Sequence, residues 1–288
     1  METAFKWLQA CALLLSALVL AKWICRYSAG WLTYFFLFWK TLKQQRRGFP
    51  GQGKRLKVIL CGFSRTGTMS LMTALDTLGF PCFHGTHLTR PPTGDLFIKA
   101  FTYGNPKDWL KLLDGYASIA DLAALSSYKD LMKIFPEAKV ILNIRDPNRW
   151  YDSFSKTLTK TTHGSDRNFI FKLLTPLLAD YFQVAVYDKF FSGNPQDRET
   201  CISAFTDHIE EVKQHVAPEN LLVYDIEKEK GWKTLCEFME VPIPNVPFPR
   251  VNDREAFGLL VKGTAFIHIM VLFLYVSSII YIVFRIVA

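Results

Sequence analysis

Two stretches of this 288-residue chain bring glycine, hydroxyl and guanidinium groups to spacings that suit phosphate. The first is Gly62-Phe63-Ser64-Arg65-Thr66-Gly67-Thr68, which follows the apolar run Leu56–Cys61 and precedes a segment with Leu71, Ala74, Leu75 and Leu78 at helical spacing. The amides of such a strand-to-helix turn, together with the unpaired amides and positive end of the helix, form an anion cradle. Gly62 and Gly67 carry the spacing of the two glycines of a Walker A loop, but Thr68 and Met69 stand where that loop has Lys and Ser/Thr. NTP hydrolysis needs the Lys on the β/γ-phosphates and the hydroxyl on Mg²⁺. Here the cation, Arg65, lies inside the loop, so the composition favours phosphate binding without NTP hydrolysis. The competing reading is a glycine-rich connector with no ligand.

The second stretch is Asn143-Ile144-Arg145-Asp146-Pro147-Asn148-Arg149-Trp150-Tyr151-Asp152-Ser153. Arg145 ends an apolar strand, Pro147 suits a first helical turn, and Ser153 follows on that helix eight residues after the arginine. A cation and a hydroxyl at the carboxyl edge of a parallel sheet suit a second phosphate. The competing reading is a surface ion pair of Arg145 with Asp146 or Asp152.

At these two motifs the sequence resembles the P-loop sulfotransferases that use 3′-phosphoadenosine 5′-phosphosulfate (PAPS). The wording GFSRTGTMSLMTALDTLGF, DWLKLLDGYASIAD and FPEAKVILNIRDPNRWYDSF is similar to a divergent branch with Arg-Thr-Gly-Thr in the loop, from about Lys57 to Asp253. The resemblance implies that Arg65, Thr66, Gly67 and Thr68 hold the 5′-phosphosulfate, and that Arg145 and Ser153 hold the 3′-phosphate. It also implies that Arg65 neutralises charge on the leaving phosphate in place of the family's usual Lys. No metal is required. The resembling enzymes carry a His or Glu about two dozen residues before the 3′-phosphate Arg, and Asp121, 24 residues before Arg145, occupies that position. Asp121 is thus the candidate catalytic base, with an N-cap as its competing role and His84 and His87 as rival bases. Arg250 is a weaker candidate for a late basic contact, since the usual Arg-Lys-Gly triplet is absent. Trp109, Trp150 and Tyr151 frame either the adenine, the acceptor or the core, and Asp108 and Asp114 read as a solvated helix face.

The elements that must position these groups alternate. Ala117–Ala120, Lys139–Ile144 and Leu221–Tyr224 join Leu56–Cys61 as strands, and helix-like segments separate them, including Asn105–Asp114 and Ser126–Phe135. A long helical region follows from Asn148 to about His215, broken near Gly193-Asn194-Pro195. The expected fold is α/β, a P-loop-type parallel sheet flanked by helices, spanning residues 56–241. The proline-rich 242–262 segment is a linker that wraps the domain surface.

Hydrophobic ends flank this domain. Residues 263–284 hold His268 as their only ionisable group before Arg285, enough to cross a bilayer, and are expected to form a transmembrane helix. Residues 1–39 are one or more N-terminal membrane segments, interrupted by Lys22 and Arg26. Seven basic residues, Lys40, Lys43, Arg46, Arg47, Lys54, Arg55 and Lys57, crowd the juncture at 40–55 and just beyond, and account for almost all of the net charge of +8. A juxtamembrane basic cluster is a topology signal rather than a nucleic-acid surface, and it faces the domain to the cytosol. A Golgi-luminal orientation is the inverted alternative. The six cysteines show no paired spacing, and no Asn-x-Ser/Thr sequon occurs.

The expectation is a membrane-anchored sulfotransferase that moves sulfuryl from PAPS to a hydroxyl or amine of a small-molecule or lipid acceptor. A kinase or NTPase, and a non-catalytic membrane scaffold that keeps the fold, are the alternatives.

Overall fold

The structure, a computed structural model, describes residues 55–89, 93–159, 163, 181–228 and 231–251, with isolated positions outside them. Strands β1 (Val58–Leu60), β2 (Cys82–Phe83), β3 (Ser118–Ala120), β4 (Lys139–Ile144) and β5 (Leu221–Asp225) form one sheet in the order β2-β3-β1-β4-β5. Every pairing is parallel. The register aligns Val58 with both Ser118 and Lys139, which makes β1 the central strand.

A parallel strand covered on both faces reads as unbroken apolar sequence, and Val58-Ile59-Leu60 is fully buried. Ile59 points into a core shared with α4 (Leu122–Ile134), α5 (Pro147–Phe154) and α7 (Arg198–His215). Val58 and Leu60 point into the opposite core, built with α1 (Thr68–Thr77) and α8 (Lys233–Met239). Helices α2 (Thr93–Tyr103) and α3 (Pro106–Leu112) bridge β2 and β3, while the short α6 (Asp188–Phe190) precedes α7. The connections leave β1 and β4 in opposite directions, so the crevice at the carboxyl ends of those strands is the place for a ligand.

The alternation of strand and helix matches the sequence reading, with three differences. The two-residue β2 was not expected, because so short a strand has no period to read. Helix α4 starts at Leu122, four residues before the expected Ser126, because Asp121 turns the corner directly from β3. Asp108 is buried and paired with Lys99 at 3.1 Å, not solvated, because α2 packs over that side of α3. Asp114 is exposed as expected.

Residues 242–250 form no helix and fold back over the domain. Trp232 Nε1 donates to the Val246 carbonyl (2.6 Å), Phe248 stacks on Tyr224, and Val251 N donates to Ser70 Oγ (3.0 Å). The expected membrane segments at 1–39 and 263–284 lie outside the described residues, except for Ser16, Met270, Phe273, Val276, Ser277 and Tyr281, each helical and exposed. Among the described residues no helix is long and apolar enough to cross a membrane.

Candidate functional site

The loop Gly62–Gly67 runs from the end of β1 to the start of α1 across the expected crevice. Its ends require glycine. A Cβ on Gly62 would lie 2.2 Å from the Asn143 carbonyl oxygen, so only glycine lets the end of β1 approach β4. Gly67, at φ 85°, caps α1 without a side-chain hydrogen bond, and no acidic residue occupies the first turn. The amino end of α1 is therefore uncapped by the protein and keeps its affinity for an anion.

Four buried side chains hold the loop in shape from behind. Asn143, on β4, accepts from Gly62 N (3.0 Å) and donates to Thr66 Oγ1, while the Thr66 hydroxyl donates to the Phe63 carbonyl (2.5 Å). Trp150 Nε1 donates to the Ser64 carbonyl (3.0 Å), and its ring stacks on Phe205 with centroids 4.3 Å apart. His208 reaches the Cys61 carbonyl with Nε2 (2.8 Å), which assigns the proton to that nitrogen, and its ring meets the edge of Phe63. Burial holds the His208 pKa below its ordinary value, partly offset by the Cys61 carbonyl and Glu211. Trp150, Trp109 and Tyr151 thus belong to the core, and Tyr151 in addition donates to the Gln196 carbonyl and lies under the Arg198 guanidinium.

The two phosphate motifs meet, although not in the pairing the spacing suggested. Arg65 Nε stands 3.3 Å from Ser153 Oγ, so the hydroxyl of the second motif faces the cation of the first. Arg145 instead donates from Nε to Glu227 Oε1 at 3.1 Å, and Arg149 Nη1 reaches the same oxygen at 3.4 Å. Neither carboxylate expected as a local partner takes Arg145 in the structure. Asp146 caps α5 by accepting from Arg149 N (2.9 Å), and Asp152 pairs with Arg198 at 2.7 Å.

Asp121 and His84, rivals for the role of base, are neighbours. Asp121 accepts from the Ser64 hydroxyl through Oδ1 and lies 3.7 Å from His84 Nδ1 through Oδ2. The Thr86 amide donates to His84 Nδ1 (3.2 Å), so the neutral ring carries its proton on Nε2, which donates to Thr68 Oγ1 (3.2 Å). Asp121 sits at the N-cap position of α4 but makes no capping bond. Its backbone, at φ 67° and ψ −153°, occupies a region almost reserved for glycine. Strain of this kind, of order 1–3 kcal/mol, persists where the surroundings enforce it. His87 packs on Phe83 and Tyr116, with its Nδ1 on the His84 backbone, a structural placement. Arg250 is exposed, next to the Val251 contact with the first turn of α1.

Ser64, Asn143, Ile226 and Glu227 belong to the site and were not singled out in the sequence. Ile226 packs on Gly67, where an added Cβ would stand 2.7 Å from its side chain. Among the described residues no group of three His, Cys, Asp or Glu side chains is arranged for a metal ion.

Residues 57–257, more than two thirds of the chain, match the family described as a sulfotransferase domain. The chain belongs to the sulfotransferase family. A relative of this sulfotransferase, named "Ava biosynthesis cluster protein M", from Aspergillus versicolor, is 28% identical over 217 residues, covering 69% of this chain and 82% of the relative. The sulfotransferase match spans every strand of the sheet, the loop before α1 and the Arg145–Ser153 segment.

Proposed function

We propose that this sulfotransferase takes sulfuryl from PAPS and transfers it to a hydroxyl or amine of a small, lipophilic acceptor. The observation that carries the reading is the convergence of Arg65 and Ser153, 3.3 Å apart, beside the uncapped amino end of α1. One cation, one buried hydroxyl and a row of helix amides support the binding of a phosphorylated nucleotide here. Arg145 and Arg149 extend the positive surface along the carboxyl end of β4.

In this reading, Thr66, Gly67 and Thr68 offer the 5′-phosphate their amides, and Arg65 balances the charge that gathers on the bridging oxygen as the sulfur–oxygen bond breaks. Arg145 and Ser153 hold the 3′-phosphate. Asp121 takes the proton of the acceptor hydroxyl as its oxygen bonds to sulfur, so that the proton ends on the carboxylate and the electron pair on the departing phosphate. His84, donating to Thr68, holds the first residue of α1 in place beside that carboxylate. The relative's name, taken from a biosynthesis cluster, supports a biosynthetic small molecule as acceptor. The hydrophobic ends and the basic cluster support a membrane-held enzyme with its domain in the cytosol and an acceptor that partitions into lipid.

The test is calorimetric titration of the full-length chain in detergent with adenosine 3′,5′-bisphosphate and with ATP, followed by labelled-PAPS assays with sterol, lipid and amine acceptors. Micromolar binding of the bisphosphate without Mg²⁺ is expected. Silence from the folded protein would sink the donor assignment, and Mg²⁺-dependent ATP binding would replace it with a kinase. Asp121→Asn keeps the side-chain size and an acceptor for Ser64, so it is expected to lower kcat by roughly 10²–10⁴-fold with bisphosphate affinity little changed. Full activity in that variant would remove Asp121 as base.

A further inference from the structure

Glu227 is a carboxylate placed where the proposed reading needs positive charge. A single oxygen, Oε1, lies 3.1 Å from Arg145 Nε and 3.4 Å from Arg149 Nη1, and the three groups sum to one positive charge. The backbone that carries Glu227 is pinned on both sides. Ile226 N donates to the Ile144 carbonyl (3.2 Å), which prolongs the β4–β5 register, and the Ile226 side chain packs on Gly67. Asp225 accepts from Glu227 N (3.0 Å) and Lys228 N (3.1 Å), a turn reinforced by its ion pair with Lys228. Only the three side-chain torsions of Glu227 remain to move.

A 3′-phosphate on Arg145 would meet this carboxylate at contact distance. Two anions do not share one guanidinium edge at no cost, because the phosphate brings close to two negative charges and the trio offers one positive. Arg145 and Glu227 are both about three-quarters buried at their side chains, so solvent screens the repulsion incompletely.

We propose that Glu227 is a resident counter-anion: its carboxylate occupies Arg145 and Arg149 in place of the nucleotide's 3′-phosphate, swings away when the nucleotide arrives, and returns to help expel the spent bisphosphate. Glu227 therefore lowers affinity selectively for nucleotides that carry a 3′-phosphate. It also keeps the two guanidiniums from binding stray inorganic anions between turnovers. The inference rests on the assignment of Arg145 to the 3′-phosphate.

The experiment titrates the full-length wild type and Glu227→Gln, each in detergent, with adenosine 3′,5′-bisphosphate and with adenosine 5′-monophosphate. Glutamine keeps the size and the hydrogen-bonding reach while it removes the charge. The expected result is bisphosphate binding tightened roughly tenfold, the scale of one charge-assisted contact, with the 5′-monophosphate changed by less than about twofold and the bisphosphate off-rate slowed in stopped flow. A wild type that binds bisphosphate, paired with a Gln variant that binds it equally or more weakly, overturns the counter-anion role alone and makes Glu227 a positioning residue for Arg145. Equal tightening of both nucleotides also overturns it, because the effect is then general electrostatics. A wild type that does not prefer the bisphosphate over the 5′-monophosphate overturns the 3′-phosphate assignment and this inference together. Glu227→Asp, which retains the charge on a shorter arm, guards against a folding artefact and is expected to stay within about threefold of wild type.

Discussion

Replacing Asn143 with Leu tests whether the anion loop is shaped from β4. The side chain is 1% exposed and satisfies two loop groups, Gly62 N–H at 3.0 Å and Thr66 Oγ1. Leucine has the same branched side-chain skeleton and neither function. The buried Gly62 amide, left without a partner, costs about 1–3 kcal/mol, and the lost donor to Thr66 costs about 0.5–1.5 kcal/mol more. The Thr66 hydroxyl keeps its own bond to the Phe63 carbonyl, so the second cost stays at the low end. The sum is about 1.5–3.5 kcal/mol, a fall in melting temperature of roughly 3–14 °C for a domain of this size, read by tryptophan fluorescence of the full-length chain. Asn143→Asp separates shape from charge. It keeps the acceptor for Gly62, loses the donor to Thr66, and adds a negative charge beneath the anion site, so bisphosphate affinity should fall further than stability does. A Leu variant that melts within about 2 °C of wild type and binds nucleotide normally would refute the view that β4 shapes the loop.

Gly67→Ala is expected to destabilise by about 2 kcal/mol, since alanine pays for φ 85° and its Cβ collides with Ile226 at 2.7 Å. Adding Ile226→Ala should recover the collision but not the backbone strain, and a thermal-melt double-mutant cycle separates the two. His208 gives a pH prediction. Its folded pKa is held below the ordinary 6.5 mainly by burial, with Lys129 and Lys189 adding to the effect and Glu211 opposing it. The unfolded chain therefore binds the extra proton first as pH falls. Stability is complete above about pH 6.5 and is lost below it, by at most about 1.4 kcal/mol per pH unit from this group. His208→Gln should flatten that limb, measured by melts from pH 7.5 to 5.0, and an unchanged slope would assign the pH dependence elsewhere.

The parts of the site that could be read from the sequence are those whose signals are local. The loop before α1 announces itself by two glycines and an arginine within six residues, and β4 by an apolar run between Pro136 and Pro147. Spacing grouped Arg145 with Ser153, and the partners that each takes in the structure could not be read from it. Ser153 meets Arg65, 88 positions away, and Arg145 meets Glu227, 82 positions away. Asn143 sits inside a strand pattern, where nothing local separates a loop ligand from a polar strand residue. Asp121 and His84 each carried a catalytic reading on its own, and only the β2-β3-β1 order brings them together. Asp108 misled because a carboxylate on a helix with Lys107 and Lys111 reads as solvated, while its burial comes from α2.

The central position of β1 sets a schedule for the molecule's birth. Its edges are filled by Ser118–Ala120 and Lys139–Ile141, and the latter lies about eighty residues further along the chain. At the roughly 5–20 residues per second of synthesis, that is several seconds in which Val58-Ile59-Leu60 has left the ribosome with its β4 edge unfilled, even after β3 can join the other. The anion loop waits for the same event, since Asn143 must arrive before Gly62 and Thr66 have their partner. A nascent chain at this stage offers an exposed β-forming segment to chaperones and to other nascent chains, and the interval closes only when β4 docks. Substitutions that slow the arrival of β4 would therefore show first as lower yield of folded protein in cells, before any change in the melting temperature of what survives.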